Sequence, residues 1–167
     1  YAMLQGSDEH RDWLQGQGRT LAPNQAGHVA LDLQGGRLTV TLDNPGRGNA
    51  IDRSMRDGLL EAFSLASLDS TIEQVSLRAS GKAFSLGAEL SEFGTTSDPA
   101  TAHALRRRTL PSREIAHCAD NLDVHVQGDC VGAGLEIAAF ARRLTASKRA
   151  WFQLPELAMG ILPGAGG

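Results

Sequence analysis

Glycine clusters constrain the fold of this chain more than any other feature of its sequence. Of the 167 residues 19 are glycine, and they concentrate at 46–48, 81–87, 128–134 and 160–167, between apolar segments. Glycine adopts positive φ at little cost and has no side chain to hold a neighbouring backbone or a ligand away. The clusters therefore predict tight turns and places where main-chain atoms face a ligand.

The apolar pattern predicts strands that alternate with helices. Residues 29–42 alternate apolar and polar side chains on both sides of a glycine pair, which is typical of a β-hairpin. Asp52 is a suitable N-cap for a helix with Met55, Leu59 and Phe63 on one face. This alternation indicates an α/β fold. Further expected elements are a strand at 75–77, a helix over 99–119, a strand at 122–127, a buried helix over 135–144 and a return to the sheet over 145–152.

The chain has the length of one domain. Residues 1–27 show little apolar periodicity and are interrupted by glycine and proline, which indicates an N-terminal extension or a peripheral helix outside the core. Residues 28–167 are expected to form the folded domain. The sequence stops at 163–167, a Pro-Gly-Ala-Gly-Gly stretch of a kind that normally leads into another element, so we expect the natural protein to continue.

Composition and charge argue against several classes of protein. The 16 basic and 19 acidic residues give a net charge of −3, without the basic excess that non-specific nucleic-acid binding needs. The sequence contains no run of 18 apolar residues, so it does not predict a membrane span. The two cysteines, Cys118 and Cys130, are too few for a disulfide framework or a cysteine-rich zinc site. We therefore expect a reduced, cytoplasmic setting.

Residues 128–132 have the spacing of a nucleophile elbow, with Cys130 in place of serine. A hydrolase of that type carries its acid and then its histidine further along the chain, and no aspartate or histidine follows Asp129. Cys130 is therefore expected to be a small buried side chain in a tight turn. The run Arg106-Arg107-Arg108 is expected on the solvent side of its helix, with a phosphate contact as the alternative.

Two glutamates carry the strongest chemical signal. Glu136 interrupts the apolar run 134–140 in the first turn of an expected helix, where burial opposes its charge and the helix dipole favours it. Taken alone, Glu136 fits two interpretations equally well. It is either a structural carboxylate bonded to a backbone N–H or a functional carboxylate. Glu156 follows Pro155 and, taken alone, is best explained as an ordinary first-turn residue. Together, two carboxylates beside glycine-rich loops favour general acid–base chemistry.

Three segments, in order along the chain, resemble the enoyl-CoA hydratase/isomerase family, which has the crotonase fold. They are NPGRGNAI at 44–51, GKAFSLGAEL at 81–90, and a third segment from Gln127 through GAGLE and LPE to the closing PGAGG. The resemblance covers about residues 28–167 and implies a spiral of ββα units. Family members normally continue into C-terminal helices that complete the acyl pocket, contact CoA and assemble trimers, and this sequence has no segment that matches them.

The resemblance implies an acyl-CoA thioester substrate and a set of site residues. Backbone N–H groups at Ala88 and Ala133 match the pair that holds the thioester oxygen. Glu136 and Glu156 match the glutamates that position and activate a water across the enoyl double bond, and Gly164 matches an N–H that helps orient this water. Retention of both glutamates favours hydration. The alternatives are an isomerase or other crotonase-family enzyme, and a non-catalytic, truncated module that binds acyl-CoA or only assembles with itself.

The same resemblance implies the CoA contacts and the assembly. No metal or redox cofactor is implied, because CoA enters as part of the substrate, and a homo-oligomer, either a trimer or a dimer of trimers, is expected. The chain differs from the usual family pattern by Gln127 in place of asparagine, Ala133 in place of glycine and Glu89 in place of aspartate. The residues that match the CoA-lining stretch are Arg47, Asn49, Ala50, Ala83, Phe84 and Ala88.

Overall fold

Strands arranged in two layers form the framework of the protein. The computed structural model describes residues 2–16, 26–96 and 98–166. The helices are α1 (Asp8–Gly16), α2 (Arg53–Leu68), α3 (Pro99–Thr109), α4 (Ser112–His117) and α5 (Ala133–Ala138). The strands are β1 (His28–Gln34), β2 (Arg37–Asp43), β3 (Gln74–Ala79), β4 (Leu122–Val126), β5 (Asp129–Val131), β6 (Arg143–Ala146) and β7 (Trp151–Gln153).

The larger layer is a sheet of five strands in the described residues, in the order β1-β2-β3-β4-β6. β1 and β2 are antiparallel with Gln34 opposite Arg37, and the other neighbours are parallel. The two residues that join the hairpin, Gly35 and Gly36, have φ of 54° and 77°. Positive φ at both positions suits the right-handed twist of the flanking strands. The predicted hairpin and the predicted α/β class are confirmed.

The smaller layer consists of short parallel pairings between chain segments. β5 pairs with β7, Ser85 bridges to Cys130, and Ile51 bridges to Ala88. Each main-sheet strand after β1 is thus followed by an extended segment in the smaller layer and then by a helix or a 3₁₀ turn. The successive units are β2–Ile51–α2, β3–(85–88)–α3, β4–β5–α5 and β6–β7–(156–159), which is the expected spiral of ββα units.

Helix α2 covers the larger sheet and supplies much of the core. Met55, Leu59 and Phe63 are fully buried on its inner face. Asp52 caps the helix, since its Oδ1 accepts a hydrogen bond from the N–H of Met55 at 2.9 Å, and its Oδ2 accepts one from the N–H of Gly27 at 2.8 Å. Both the predicted cap and the predicted apolar face are confirmed.

The helix expected over 99–119 is wrong as one element. α3 ends at Thr109 and α4 begins at Ser112, with Pro111 between them. Proline has no N–H to continue the helical hydrogen bonds, and it disfavours helical conformation in the residue before it. The chain therefore turns at Leu110 and continues in a second, shorter helix.

The helix expected over 135–144 is wrong in its second half. α5 ends at Ala138, and Leu144 lies in β6, directly opposite Val124 of β4. Strand pairing at the edge of the main sheet thus overrides the helical pattern of the local sequence. Residues 145–152 do return to β structure, but they divide between the two layers, because β6 joins the larger layer and β7 the smaller one.

The N-terminal segment contains the helix α1, which differs from the expected peripheral helix in one respect. His10 is fully buried, and its Nδ1 lies 2.7 Å from the carbonyl oxygen of Met159. One face of α1 therefore packs against the domain. Residues 17–25 lie outside the described part of the chain, and a domain boundary at residue 27 stays a prediction.

Asp52→Ala is expected to lower the free energy of unfolding by about 2 kcal/mol, because α2 loses its cap and the buried N–H of Gly27 loses its acceptor. Urea denaturation followed by circular dichroism measures the change. Asp57→Ala is the matched control, since Asp57 is exposed on the same helix, and its effect should stay within about 0.5 kcal/mol. A loss at Asp52 no larger than the loss at Asp57 would contradict the capping role.

Candidate active site

A cavity of about 280 Å³ lies where the spiral brings the smaller layer and the following helices together. Most of its wall is apolar, and three charged side chains, Arg106, Glu136 and Glu156, reach it. Ala88 and Ala133 also line it. Four of the five catalytic residues predicted from the sequence therefore meet in one cavity, although they lie up to 68 positions apart, from 88 to 156. Gly164, the fifth, is hydrogen-bonded to Glu136.

The N–H groups of Ala88 and Ala133 have no acceptor among the described residues. Around Ala88, the N–H of Ile51 donates to the carbonyl of Gly87 at 2.8 Å, and the N–H of Glu89 donates to the carbonyl of Ile51 at 3.1 Å. Successive groups of an extended segment point to opposite sides, so the N–H of Ala88 points away from this pairing. Ala133 is the first residue of α5, where N–H groups have no partner within the helix. Two main-chain donors are thus available at the cavity.

Gly132 leads into α5 with φ of 51° and ψ of −124°. A Cβ added at Gly132 would lie 2.8 Å from Oε1 of Glu156, closer than real Cβ contacts come. The position therefore favours glycine for its backbone conformation, and a side chain there would also displace the carboxylate end of Glu156. This glycine lets Ala133 and Glu156 share one wall of the cavity.

Glu136 is a buried carboxylate with a complete set of main-chain donors. It is 3% exposed, its Oε1 accepts a hydrogen bond from the N–H of Gly164 at 3.1 Å, and its Oε2 accepts one from the N–H of Ala165 at 2.7 Å. The carbonyl of Gly164 in turn accepts a hydrogen bond from Nε of Arg106 at 3.1 Å. These bonds fix the orientation of the Glu136 carboxylate and of the loop at Gly164 and Ala165. They also give the N–H of Gly164 a different partner from the water that the sequence analysis assigned to it.

Glu156 lies in a less compensated environment. It is 6% exposed at the start of the 3₁₀ turn Glu156–Met159, and its Oε2 has no hydrogen-bond partner among the described residues. Burial raises the pKa of this carboxyl above its ordinary value, and the nearby charge of Glu136 raises it further. The two glutamates therefore differ in kind, because Glu156 takes up a proton more readily than an exposed carboxylate does.

Arg47, one of the residues matched to the CoA site, forms an ion pair with Glu89. Its Nη2 lies 2.7 Å from Oε2 of Glu89. Burial raises the pKa of Glu89, but hydrogen bonds from Arg47 and Ser91 outweigh this effect and hold the pKa below its usual range. Glu89 follows Ala88 directly, so the pair holds the loop that carries one of the two free N–H groups.

Asn49 and Phe84 have structural surroundings. Asn49 is buried with φ of 53°, and its Nδ2 donates to the carbonyls of Ser80 and Ala83 at 2.8 and 2.9 Å. Phe84 is fully buried in the core. Ala88 is the one residue of the CoA set that lines the described cavity. Contact of the others, including Ala50, with CoA stays a prediction.

Several residues at the cavity were not predicted as site residues. The expectation that all three arginines of 106–108 face solvent is wrong for Arg106, which is half-buried at the cavity, while Arg107 and Arg108 are exposed. Trp13 and Phe93 also line the cavity. In the sequence, Trp13 stands out as an aromatic residue in a mostly polar segment. The sequence does not indicate which residues Trp13 contacts.

The described residues contain no helix long and apolar enough to cross a membrane. Within the same residues, no three histidine, cysteine, aspartate or glutamate side chains come together as a metal site requires. Cys118 and Cys130 are free, buried thiols, and burial raises the pKa of Cys130 to about 12. Cys130 is therefore the small buried residue that was expected, but it lies in strand β5 and not in a tight turn.

Comparison with known proteins identifies the class to which this fold and cavity belong. Residues 32–167 match the sequence model of the Enoyl-CoA hydratase/isomerase family. The chain therefore belongs to the enoyl-CoA hydratase/isomerase family, and its α/β spiral is the crotonase fold.

Its relatives include enzymes that act on different CoA thioesters. The chain is 30% identical over 130 residues to the 2,3-dehydroadipyl-CoA hydratase of Escherichia coli (strain K12), covering 78% of this chain and 50% of that protein. It is 27% identical over 140 residues to the mitochondrial Delta(3,5)-Delta(2,4)-dienoyl-CoA isomerase of Mus musculus, covering 77% and 43%. The crystal structure of an enoyl-CoA hydratase from Thermoplasma volcanium matches with a TM-score of 0.70 and 28% identity, covering 80% and 53%. The chain thus spans about half the length of these relatives.

Glu156→Gln is expected to raise the free energy of unfolding at neutral pH, because glutamine keeps the shape of the side chain without the buried charge. The folded-state pKa of Glu156 lies above its ordinary value of 4.5. The contribution of Glu156 to wild-type stability is therefore most favourable below pH 4.5 and is lost as the pH rises through the folded-state pKa. The advantage of the variant should shrink as the pH is lowered towards 4.5.

Urea unfolding at a series of pH values measures this difference. Glu61→Gln is the matched control, because Glu61 is exposed on α2, and its effect should be small at every pH. A gain at Glu156 that does not depend on pH would contradict the electrostatic explanation.

Proposed function

We propose that this chain carries the catalytic groups of an enoyl-CoA hydratase, which adds water to the double bond of a 2-enoyl-CoA thioester. The observation that carries the proposal is the meeting of two buried glutamates, Glu136 and Glu156, in one cavity with the N–H groups of Ala88 and Ala133, which have no acceptor in the described part of the chain. A hydratase needs this combination, since it must hold a thioester oxygen and also add a hydroxyl group and a proton across a double bond.

The N–H groups of Ala88 and Ala133 would bind the thioester carbonyl oxygen. When water attacks the β carbon, electrons move towards this oxygen and an enolate forms. Donors already aimed at the developing charge stabilise it, and each such donor is worth roughly 3–4 kcal/mol of barrier in well-studied enzymes. Main-chain donors suit this task because the local backbone pairings hold them in place.

The two glutamates have environments that suit opposite roles. Glu136 accepts hydrogen bonds from the main chain of Gly164 and Ala165, which hold its carboxylate in one orientation at the cavity, so we assign it as the base that takes a proton from water. The oxygen of that water forms the bond to the β carbon. Glu156, whose pKa is raised by burial, is assigned as the acid that gives its proton to the α carbon. Proton exchange then restores both groups.

Double-bond isomerisation is the alternative within the family. It requires one carboxylate that removes a proton from one carbon and returns it to another, and Glu156 has the raised pKa that this task favours. The mouse relative is named as an isomerase. Hydration is preferred because both carboxylates reach the cavity.

Family membership supports two further parts of the proposal. CoA would enter as part of the substrate, near Arg47, Ala50 and the 83–84 backbone, and the protein would form a homo-oligomer. A cytoplasmic location is proposed separately, from the small number of cysteines. The third option, a module that binds acyl-CoA without turnover, predicts binding of saturated and unsaturated thioesters alike and no hydration of either.

Glu136→Gln and Glu156→Gln should each lower the rate of hydration by at least about 100-fold, the effect typical of a lost acid or base. Loss of the enoyl-thioester absorbance of crotonyl-CoA measures the rate. Butyryl-CoA, which cannot be hydrated, measures binding by calorimetry, and its dissociation constant should change little in either variant.

Glu61→Gln serves as the control for both variants, and it should keep the wild-type rate. The assay should include both the 167-residue chain and any longer natural protein that contains it. Full activity in either active-site variant would remove that glutamate from the mechanism. Butyryl-CoA binding without hydration in any form would contradict the hydratase proposal and favour isomerisation or the non-catalytic alternative.

A further inference from the structure

Helix α1 is held against the turn that carries Glu156. Nδ1 of His10 lies 2.7 Å from the carbonyl oxygen of Met159, the last residue of the turn Glu156–Met159. A carbonyl only accepts, so Nδ1 must carry the proton and donate it. The imidazole is fully buried, and its Nε2 has no partner among the described residues. A buried hydrogen bond thus connects the N-terminal segment to the cavity wall.

The backbone of α1 also lies directly against Gly160, the residue that follows this turn. Gly160 has φ of 69°, and a Cβ added there would lie 3.1 Å from the backbone nitrogen of His10 and 3.2 Å from the carbonyl carbon of Glu9. Any larger residue at position 160 would push α1 away, and the positive φ would strain the backbone at position 160. Helix α1 therefore contacts the turn through the side chain of His10 and also through its own main chain.

His10 connects this contact to two aromatic side chains of the cavity. Its ring stacks on Trp13, with ring centroids 5.9 Å apart and an interplanar angle of 12°. It also meets Phe93, with centroids 5.8 Å apart and an angle of 41°. Trp13 and Phe93 both line the cavity that contains Glu136 and Glu156. The N-terminal segment therefore contributes a wall to the candidate active site.

We propose that Trp13 is a specificity-determining residue, whose indole forms with Phe93 an aromatic wall against which the acyl chain packs. His10 is a positioning residue, because its stacking and its bond to Met159 fix the indole in place. The inference rests on the proposed function, since it takes the occupant of the cavity to be the acyl part of a CoA thioester. A large, rigid side chain at this wall limits the space for the acyl chain, so short chains are favoured.

The chain offers a direct optical test, because it has two tryptophans. Trp13 lines the cavity, whereas Trp151 is 60% exposed on β7 and does not line it. Trp151→Phe leaves Trp13 as the sole indole, and Trp13→Phe leaves Trp151. Titration with butyryl-CoA should change the emission of the first variant saturably, while the second should not respond. Free CoA should leave both unchanged.

These titrations separate the inference from the proposed function, since butyryl-CoA undergoes no turnover. Calorimetric binding of butyryl-CoA without any change in Trp13 emission would overturn the role of Trp13 and leave the proposed function standing. An equal response to free CoA would place the indole at the CoA part and overturn its assignment to the acyl chain. If wild-type protein binds no acyl-CoA, both proposals fail.

Chain-length selectivity provides the second test. Trp13→Ala should raise the ratio of kcat/KM for trans-2-decenoyl-CoA to that for crotonyl-CoA by at least about 10-fold, the scale of discrimination by apolar pocket contacts. The change should lie mainly in KM. His10→Ala should shift the ratio in the same direction, and His10→Phe, which keeps an aromatic ring, should shift it less.

Trp151→Ala is the control, and it should leave the ratio unchanged. Circular dichroism melting checks the fold of each variant, and Trp13→Leu replaces Trp13→Ala if the latter does not fold. A folded Trp13 variant with the wild-type ratio would overturn the assignment.

Discussion

The close approach of two backbone segments in the smaller layer is the constraint on which the candidate site depends. The 85–88 segment lies beside β5, with Ser85 paired to Cys130, so closely that a Cβ on Gly87 would lie 3.0 Å from the carbonyl oxygen of Val131. This approach brings the free N–H of Ala88 and that of Ala133 to one cavity. Neither segment could do so alone, because each supplies a single donor. The larger sheet, through its parallel order, holds the two segments in register.

Around this pair of donors, the fold gives two chemically identical side chains different properties. Each carboxylate oxygen of Glu136 accepts a hydrogen bond from the loop at Gly164 and Ala165, and Arg106 donates to the carbonyl of Gly164 in the same loop. Oε2 of Glu156 has no hydrogen-bond partner among the described residues, and burial raises the pKa of this carboxyl. An arrangement in which burial and hydrogen bonding separate an acid from a base is the general way by which two carboxylates serve opposite functions.

One residue of the cavity wall, Trp13, has a different origin from the rest. The polar groups come from the repeating ββα units, whereas Trp13 comes from the helix that precedes them in sequence. The helix that carries Trp13 is joined to the turn of Glu156 by the bond between His10 and Met159. The N-terminal segment and the ββα units therefore build this wall of the cavity together.

The sequence by itself determined the hairpin at 29–42, the cap at Asp52, the α/β class and the family, because these depend on local periodicity, turn residues and short motifs. It failed at Leu144, where strand pairing with β4 overrode a helical pattern, and at Leu110, where Pro111 divides a helix. Only the tertiary structure decided that Trp13 and Arg106 reach the cavity, since their partners lie far away in the sequence. Short-range patterns specify which elements form, but the contacts between distant segments specify what a side chain faces.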